Sequence, residues 1–524
     1  MTPGESEAQL RRQGAGFSGR ERSQSERIGS GLGAVTSESL GKVSLTAIGG
    51  EDVVKQPAII QGGMGVGVSG WRLARAVSMA GQLGVVSGVG LDTLLARRLQ
   101  LGDPGGRILR ALEHFPNRDV VEQVRQRYFV PGGIDPDRPF RSPPLPSLRP
   151  SAAATHLAVA AGFVEVFLAK DGHSGLVGVN CLEKLQMSVP AVLYGAVLAG
   201  VDYVLMGAGI PAEIPAYLDA LAAGQSGSLH INVHGEGDSP SSVVIDPAVL
   251  FGDCRPLRRP QFLAIISSNM LAAFLARDPR TRPDGFVVEG PNAGGHNAPP
   301  RGRATLDLDG QPVYGPRDEV DLDKMSELGI PFWLAGGYAS PERLREAHAG
   351  GAQGIQVGSA FALCQESDLN ASLKQDLIDQ WFEGALEVNT DPAASPTGFP
   401  FKVAQLPGTV SDPAVYATRR RSCDVGYLRV PYRTASGGIG YRCAAEQQGA
   451  YVRKGGKAEE AEGRRCLCNG LIAAIGLGQR RPGGAVEPPL VTIGKELVFL
   501  DKVTANAGGK TYTARDVVDY LLGI

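Results

Sequence analysis

The sequence predicts an α/β fold of the TIM type, an eight-stranded (β/α)8 barrel with insertions and a C-terminal subdomain. Three observations carry this expectation. Between about residues 55 and 365, short apolar runs alternate with helical stretches. The runs are nearly continuous in apolar residues instead of alternating with polar ones, as parallel strands buried on both faces require. Eight such runs are present, at 58–61, 84–87, 176–180, 203–206, 263–267, 286–289, 332–335 and 355–357.

The intervening helices carry boundary signals. Ser69 is placed to cap a helix with Leu73, Ala76, Val77 and Ala80 on one face and Gly81 as its stop. Ser340-Pro341-Glu342 opens another, with proline at its first position, and Gly350-Gly351 closes it. Two insertions interrupt the rhythm within a barrel domain spanning 46–390. The first, 100–170, is rich in Pro and Arg and contains a strand-like run at 163–169. The second, 225–260, reads as a small β-excursion around 229–233. Residues 391–524 lose the alternation and form the C-terminal Cys-containing subdomain, ending in a helix with a capping-box pattern at Thr513-Ala514-Arg515-Asp516. Residues 1–45, rich in Gly, Ser, Arg and Glu, read as a disordered leader, or as sequence upstream of the true start.

Bulk properties exclude some functions. The 524 residues carry a net charge of −2, which gives no electrostatic case for nucleic acid or an anionic membrane as the main partner. No continuous apolar stretch of about 18 residues reads as a membrane span, and no apolar core of a secretory signal stands at the start. Seven cysteines in so long a chain do not make a disulfide scaffold, so the cytoplasm is the expected compartment. The 71 glycines and 36 prolines are well above the background of roughly 12% for the pair, and many glycines follow directly after the apolar runs.

Those glycines sit where a barrel keeps its chemistry, at the C-terminal ends of its strands. The first strand runs into Gln61-Gly62-Gly63-Met64-Gly65-Val66-Gly67, a loop whose backbone can approach a flat ligand closely. The seventh ends in Ala335-Gly336-Gly337-Tyr338 and the eighth in Gln356-Val357-Gly358-Ser359. Glycines at strand ends seven and eight suit a phosphate site built from backbone amides. The sixth ends in Val288-Glu289-Gly290-Pro291-Asn292-Ala293-Gly294-Gly295-His296-Asn297, which puts an imidazole on the active face beside that phosphate site. His296 is the candidate catalytic residue.

Four of these segments resemble one family. They are 59–67, Gly178-Val179-Asn180, Ala293-Gly294-Gly295-His296, and Ala335-Gly336-Gly337 with Gln356-Val357-Gly358-Ser359. Together they resemble the nitronate monooxygenases (2-nitropropane dioxygenases), relatives of the flavin enoyl reductases of polyunsaturated fatty acid and polyketide synthesis. Arg465-Cys466-Leu467-Cys468-Asn469 resembles a long-chain branch of that family. The resemblance implies FMN at the barrel mouth. Gly63 and Met64 would lie against the flavin, Asn180 would hydrogen-bond it, and Gly336, Gly337, Gly358 and Ser359 would hold the phosphate. Gly294 and Gly295 join the cofactor contacts, and His296 would act as acid/base or steady an oxyanion. Three departures leave the substrate open: Ser359 where Thr is more usual, the loop Asn297-Ala298-Pro299-Pro300-Arg301, and the length of the 100–170 insertion.

Two reactions fit such a site. One is oxidation of nitronates or nitroalkanes by oxygen, with His296 removing an α-proton or steadying nitronate oxygens. The other is NAD(P)H-dependent reduction of an enoyl thioester, possible on an acyl carrier, with His296 hydrogen-bonding the thioester carbonyl. A non-enzymatic barrel that binds a phosphorylated small molecule is the third reading. The oligomeric state is left open.

Other candidates read as structural. Cys423, Cys443, Cys466 and Cys468 number enough for a tetrahedral zinc site, but the spacing C-x19-C-x22-C-x-C lacks the usual C-x2-C knuckle, so buried thiols are the expectation. Cys364 reads as core or cleft lining. His230 and His234 fall on a strand-like run, where no metal is expected. The acidic run 318–323 reads as the solvated start of a helix, and His173 as a loop residue with a structural role.

Overall fold

The structure, a computed structural model, describes residues 56–524 apart from 236–240, 253–255, 303–304 and 482. The expected leader, 1–45, lies outside the described residues.

Eight parallel strands form one sheet whose spatial order follows the chain. They are β1 (Ile59–Gln61), β2 (Gly84–Ser87), β3 (Val177–Leu182), β4 (Tyr203–Gly207), then β7 (Gln261–Ile266), β8 (Gly285–Glu289), β9 (Phe332–Ala335) and β10 (Gly354–Val357). All eight runs read from the sequence are these strands. Between β4 and β7 lies the predicted β-excursion, an antiparallel pair of β5 (Gly227–Ile231) and β6 (Ser241–Ile245). β10 pairs with β1 in parallel, Ile60 opposite Gln356. The sheet closes where Ile60 bridges Leu83 and the Gln61 amide donates to the Leu83 carbonyl at 2.9 Å. The fold is a closed TIM-type barrel.

The strands are continuously apolar because each has two interiors to fill. Ile60, Val85, Leu205, Leu263, Val287 and Trp333 fill the barrel. Their neighbours Ile59, Val86, Val204, Phe262, Val288 and Leu334 face outward into the core shared with the helices. Alternation is therefore between two buried sides, and no polar residue marks it.

The helical ring corrects two local expectations. The run 163–169 is not a strand but part of the helix Ala152–Lys170, capped by Ser151, whose Oγ accepts from the Ala154 amide. This helix is buried over most of its circumference between the helices Trp71–Met79, Leu91–Gln100 and Val189–Leu198. An all-round apolar segment carries no period, so strand and buried helix look alike in the sequence. It is thus the ring helix that leads into β3, and the true additions in 100–170 are the helices Arg107–Glu113 and Arg118–Tyr128 and the loop after them. Ala152–Lys170 is also the one helix among the described residues long and apolar enough to cross a membrane. The second correction is Ser69. The helix Trp71–Met79 starts without a side-chain cap, and Ser69 Oγ instead accepts from the Met64 amide at 2.7 Å. Ser340 caps its helix as expected, through the Arg343 amide. Thr513 and Asp516 form the expected box at the start of Ala514–Leu522.

The C-terminal region, beginning with β11 (Val388–Asp391) and its antiparallel partner β12 (Phe401–Ala404), belongs to the same compact unit as the barrel, residues 57–524. A further antiparallel pair, β13 (Val430–Arg433) and β14 (Ile439–Arg442), and the helix Leu467–Ala474 follow. The acidic run divides between the short turn Pro316–Asp318 and the helix Leu322–Glu327, which Asp321 caps. His173 holds its own loop, accepting from the Gly175 amide and bonding the Ala169 carbonyl.

Candidate active site

A cavity of about 500 Å³ opens at the C-terminal ends of the strands. Every residue expected at the site lines it: Gly63, Met64, Asn180, Gly294, Gly295, His296, Gly336, Gly337, Gly358 and Ser359. The reason is the fold itself, since these positions terminate β1, β3, β8, β9 and β10 on one rim.

The first wall is backbone laid against side chain. A Cβ added at Gly63 would stand 2.3 Å from the Asn180 Cβ, so the loop after β1 approaches β3 more closely than any other residue allows. Ser69 and Ser87 pin this loop, Ser87 Oγ donating to the Gly65 carbonyl at 2.8 Å. Beneath Gly62 lies Gln356, whose Oε1 is buried without a hydrogen-bond partner. An orphaned buried acceptor calls for a donor from a ligand or water.

The opposite end is a cradle of amides. Gly336 and Gly337 have φ of 93° and 82°. A Cβ on Gly336 would meet the Ala293 amide nitrogen at 2.8 Å. The amides of Gly336, Gly337, Gly358 and Ser359 have no acceptor among the described residues. Ser359 Oγ accepts from the Gly494 amide at 2.9 Å, which leaves its own hydrogen to donate. An anion with several acceptor oxygens fits this end. One carboxylate stands beside it: Glu496 lies 2.6 Å from where a Gly337 Cβ would be and accepts from Asn292 Nδ2 at 2.7 Å.

His296 lines the same cavity. Its loop is clamped by β12. The Lys402 amide donates to the Gly295 carbonyl at 2.7 Å and the Asn297 amide to the Pro400 carbonyl at 2.9 Å. Lys402 Nζ donates to the Pro291 carbonyl at 2.6 Å and to Asn297 Oδ1 at 2.8 Å, while Asn297 Nδ2 donates to the Ala293 carbonyl at 3.0 Å. The imidazole stacks on Phe401, centroids 5.8 Å apart, and meets Phe399 edge-on at 6.4 Å. Burial, seconded by the Lys184 ammonium, holds its pKa well below the usual value, so the ring is neutral near pH 7. Around it burial raises Glu289 to about 7, against Lys402 and Lys184. Burial also lowers Lys402 to about 8 and Lys184 to about 7.

Several of these groups escape the sequence reading: Lys184, Glu289, Gln356, Phe399, Phe401, Lys402 and Glu496. Glu289 and Gln356 had a signal, as polar residues ending buried strands on the rim. Phe399-Pro400-Phe401-Lys402 had only its aromatic–basic composition.

The cysteines stand apart from this cavity. Cys364 is buried in the core, and Cys181, within β3, is buried as well. Burial raises the thiols of Cys443, Cys466 and Cys468, with the charge of neighbouring cysteines adding to it, whereas Cys423 is exposed. Among the described residues no three His, Cys, Asp or Glu side chains stand in a metal-holding arrangement.

Comparison with known proteins agrees with the motifs. Residues 263–391, from β7 through β11, match the family model "Nitronate monooxygenase". This stretch contains the His296 loop and both glycine-bearing ends of β9 and β10. Over 96 residues the chain is 34% identical to a "Probable nitronate monooxygenase" of Bacillus subtilis (strain 168). That stretch is 18% of this chain and 26% of the relative, so the chain spans about a quarter of the curated protein it matches. Among solved structures, FabK of Thermotoga maritima is similar at 16% identity, with 90% of this chain and 92% of that one covered and a TM-score of 0.41. A nitroalkane oxidase from Streptomyces ansochromogenes is similar at 14% identity, covering 89% and 95%, with a TM-score of 0.42. The chain is thus similar to the nitronate monooxygenases across the half of the barrel that carries the candidate histidine.

Proposed function

We propose that this chain is an FMN-dependent oxidoreductase of the nitronate monooxygenase type, oxidising nitronates or nitroalkanes with oxygen. The observation that carries the reading is a neutral, clamped imidazole that lines the same cavity as a flat glycine-and-asparagine wall and a cradle of free amides. The residues fit FMN: Gly63, Met64, Asn180 and Gln356 along the ring system, Gly294 and Gly295 beside it, and Gly336, Gly337, Gly358 and Ser359 at the phosphate. When bound, the flavin supplies the redox capacity, taking electrons from the substrate and passing them to oxygen.

The protein's share is proton handling and placement. A neutral His296 accepts the α-proton of a nitroalkane at a ring nitrogen, and the resulting cation steadies the nitro oxygens as they gain charge. Lys402 and Asn297 fix the loop that sets the ring's position. Phe399 and Phe401 pack against the ring and restrain its orientation.

A second reading, enoyl-thioester reduction with NAD(P)H, is favoured by one feature. Leu471, Leu490, Val491, Ile493 and Phe499 add an apolar wall along which an acyl chain could lie. One experiment separates the two: anaerobic mixing of the yellow protein with donors. Alkyl nitronates bleach the flavin and NAD(P)H does not, and air then restores the colour with oxygen consumed. Rapid bleaching by NADPH, with turnover that depends on an enoyl thioester, overturns the first reading. A purified protein that is colourless and cannot be reconstituted with FMN overturns both and leaves a phosphometabolite-binding barrel.

A further inference from the structure

We infer that the cavity takes FMN together with one proton, held on the Glu289 carboxyl, so that the flavin binds more weakly as the pH rises above neutrality. The inference rests on the flavin reading above and deepens it, because it makes one cavity residue answer to the bound cofactor through its protonation.

The case begins with where Glu289 stands. It is the last residue of β8, half-buried on the rim, and it lines the cavity. The strand ends beside it bring no charge: Ile266 ends β7, and Ala335, its register partner, ends β9. Among the described residues the Glu289 carboxyl makes no hydrogen bond and no ion pair. The other carboxylate that lines the cavity is the contrast, since Glu496 accepts from Asn292 Nδ2 at 2.7 Å. Glu289 therefore meets whatever fills the cavity with both oxygens uncommitted.

Four charged or titratable groups act on Glu289 or share its cavity. His296 follows on its own loop and is neutral above pH 7. Lys184, in the turn after β3, and Lys402, on β12, both favour the carboxylate, yet neither forms an ion pair with it. Lys402 Nζ is committed to the Pro291 carbonyl and to Asn297 Oδ1. Glu496 is the fourth. Against both ammoniums, burial raises the Glu289 carboxyl to about 7. A ligand in the cavity takes away water that still reaches this half-buried side chain, and a flavin phosphate adds negative charge. Both disfavour the carboxylate further. The protonated acid brings no charge, and its O–H is a donor that a ligand oxygen can accept.

The bound site thus holds the proton more tightly than the free one. Below pH 7 both hold it, and affinity does not depend on this group. Above pH 7 the free site takes up a proton in order to bind, and affinity falls by up to about tenfold per pH unit until the bound carboxyl itself ionises. Burial lowers Lys184 to about 7 and Lys402 to about 8, and their loss of charge acts in the same direction on a bound anion. Substitution of Glu289 separates its share from theirs.

The test follows flavin release from the yellow holoprotein on dilution, by the recovery of free-flavin fluorescence. The wild-type dissociation constant rises roughly tenfold or more between pH 7 and pH 9. In Glu289→Gln, which keeps the size and removes the proton, the rise is smaller by roughly tenfold. At about pH 6.5 the two proteins bind FMN alike within a fewfold, which shows an intact cavity. A second measurement needs no variant. Calorimetry of FMN binding to flavin-depleted wild-type protein at pH 8, in two buffers of different ionisation heat, counts the protons taken up. An equal pH dependence in the two proteins, a wild-type constant that does not change between pH 7 and pH 9, or binding at pH 8 without proton uptake overturns the inference and leaves the flavin reading standing. A protein that holds no FMN and cannot be reconstituted with it overturns both.

Discussion

The two walls of the cavity are built from different materials. The barrel wall is mostly backbone: Gly62, Gly63, Gly336, Gly337 and Gly358 at the ends of β1, β9 and β10, with Asn180 and Gln356 as its polar side chains. The wall from residue 401 and residues 490–499 is mostly side chain: Phe401, Glu496 and Phe499 line it, while Phe399 meets the His296 ring and Lys402 holds its loop. A backbone wall offers amides and flatness, which suit a cofactor of fixed shape. A side-chain wall offers charge and aromatic surface, which position one histidine and tune it. The comparison teaches a division of labour: the barrel holds the ligand, and the C-terminal wall governs the chemistry beside it.

That division fails most visibly if the histidine proves dispensable. His296→Ala is expected to keep bound flavin, because the barrel wall is untouched, and to lose turnover by roughly 10²- to 10⁴-fold, the usual share of a positioned acid/base. Flavin absorbance and kcat on one preparation check both halves. The converse test strikes the barrel wall. Gly63→Ala places a methyl 2.3 Å from the Asn180 Cβ, so the loop after β1 or strand β3 must move. Overpacking of this kind costs ~1–3 kcal/mol. The expected outcome is a lowered melting temperature and loss of most bound flavin, with His296 unchanged. Normal flavin content in this variant would show that the close approach is structural and not part of a flavin bed.

Lys402 tests whether the C-terminal wall acts through the histidine. Lys402→Met removes the donors to the Pro291 carbonyl and Asn297 Oδ1, a loss of ~1–3 kcal/mol where acceptors stay buried. Flavin content is expected to hold while kcat falls more than stability alone explains. If KM rises and kcat does not change, Lys402 serves the substrate and not the loop.

The same division decides what the sequence could reveal. Glycines and a histidine at strand ends are local signals, because β1, β8, β9 and β10 deliver their C-terminal residues to one rim by construction. The rim positions of Gly336, Gly358 and His296 are therefore legible in the chain alone, and so are all eight strands. Phe401 and Lys402 reach the rim only because β12 lies against the His296 loop, a pairing across more than 100 residues that no local pattern encodes. Lys184 was hidden for another reason: it follows β3 by two residues, in a turn whose acidic neighbour suggests an ordinary surface pair. The helix Ala152–Lys170 looks like a strand at 163–169 because burial on all sides erases its period.

The smallest effect sharpens the comparison most, because Glu496 is the place where the two walls interfere. Its carboxylate comes from the side-chain wall yet stands against Gly337, in the amide cradle of the backbone wall. A phosphate bound on those amides would feel its charge. Glu496 also accepts from Asn292 Nδ2, four residues before His296, so it ties the cradle to the catalytic loop. Glu496→Gln keeps an acceptor for Asn292 and removes the charge. If repulsion dominates, FMN binds more tightly by a fewfold, within the ~1 kcal/mol typical of one exposed charge pair, and the gain shrinks as salt is added. Flavin dissociation constants at low and high ionic strength measure this directly. Weaker binding at both salt levels would instead mean that the carboxylate earns its position by holding Asn292, and that the C-terminal wall shapes the phosphate cradle as well as the histidine.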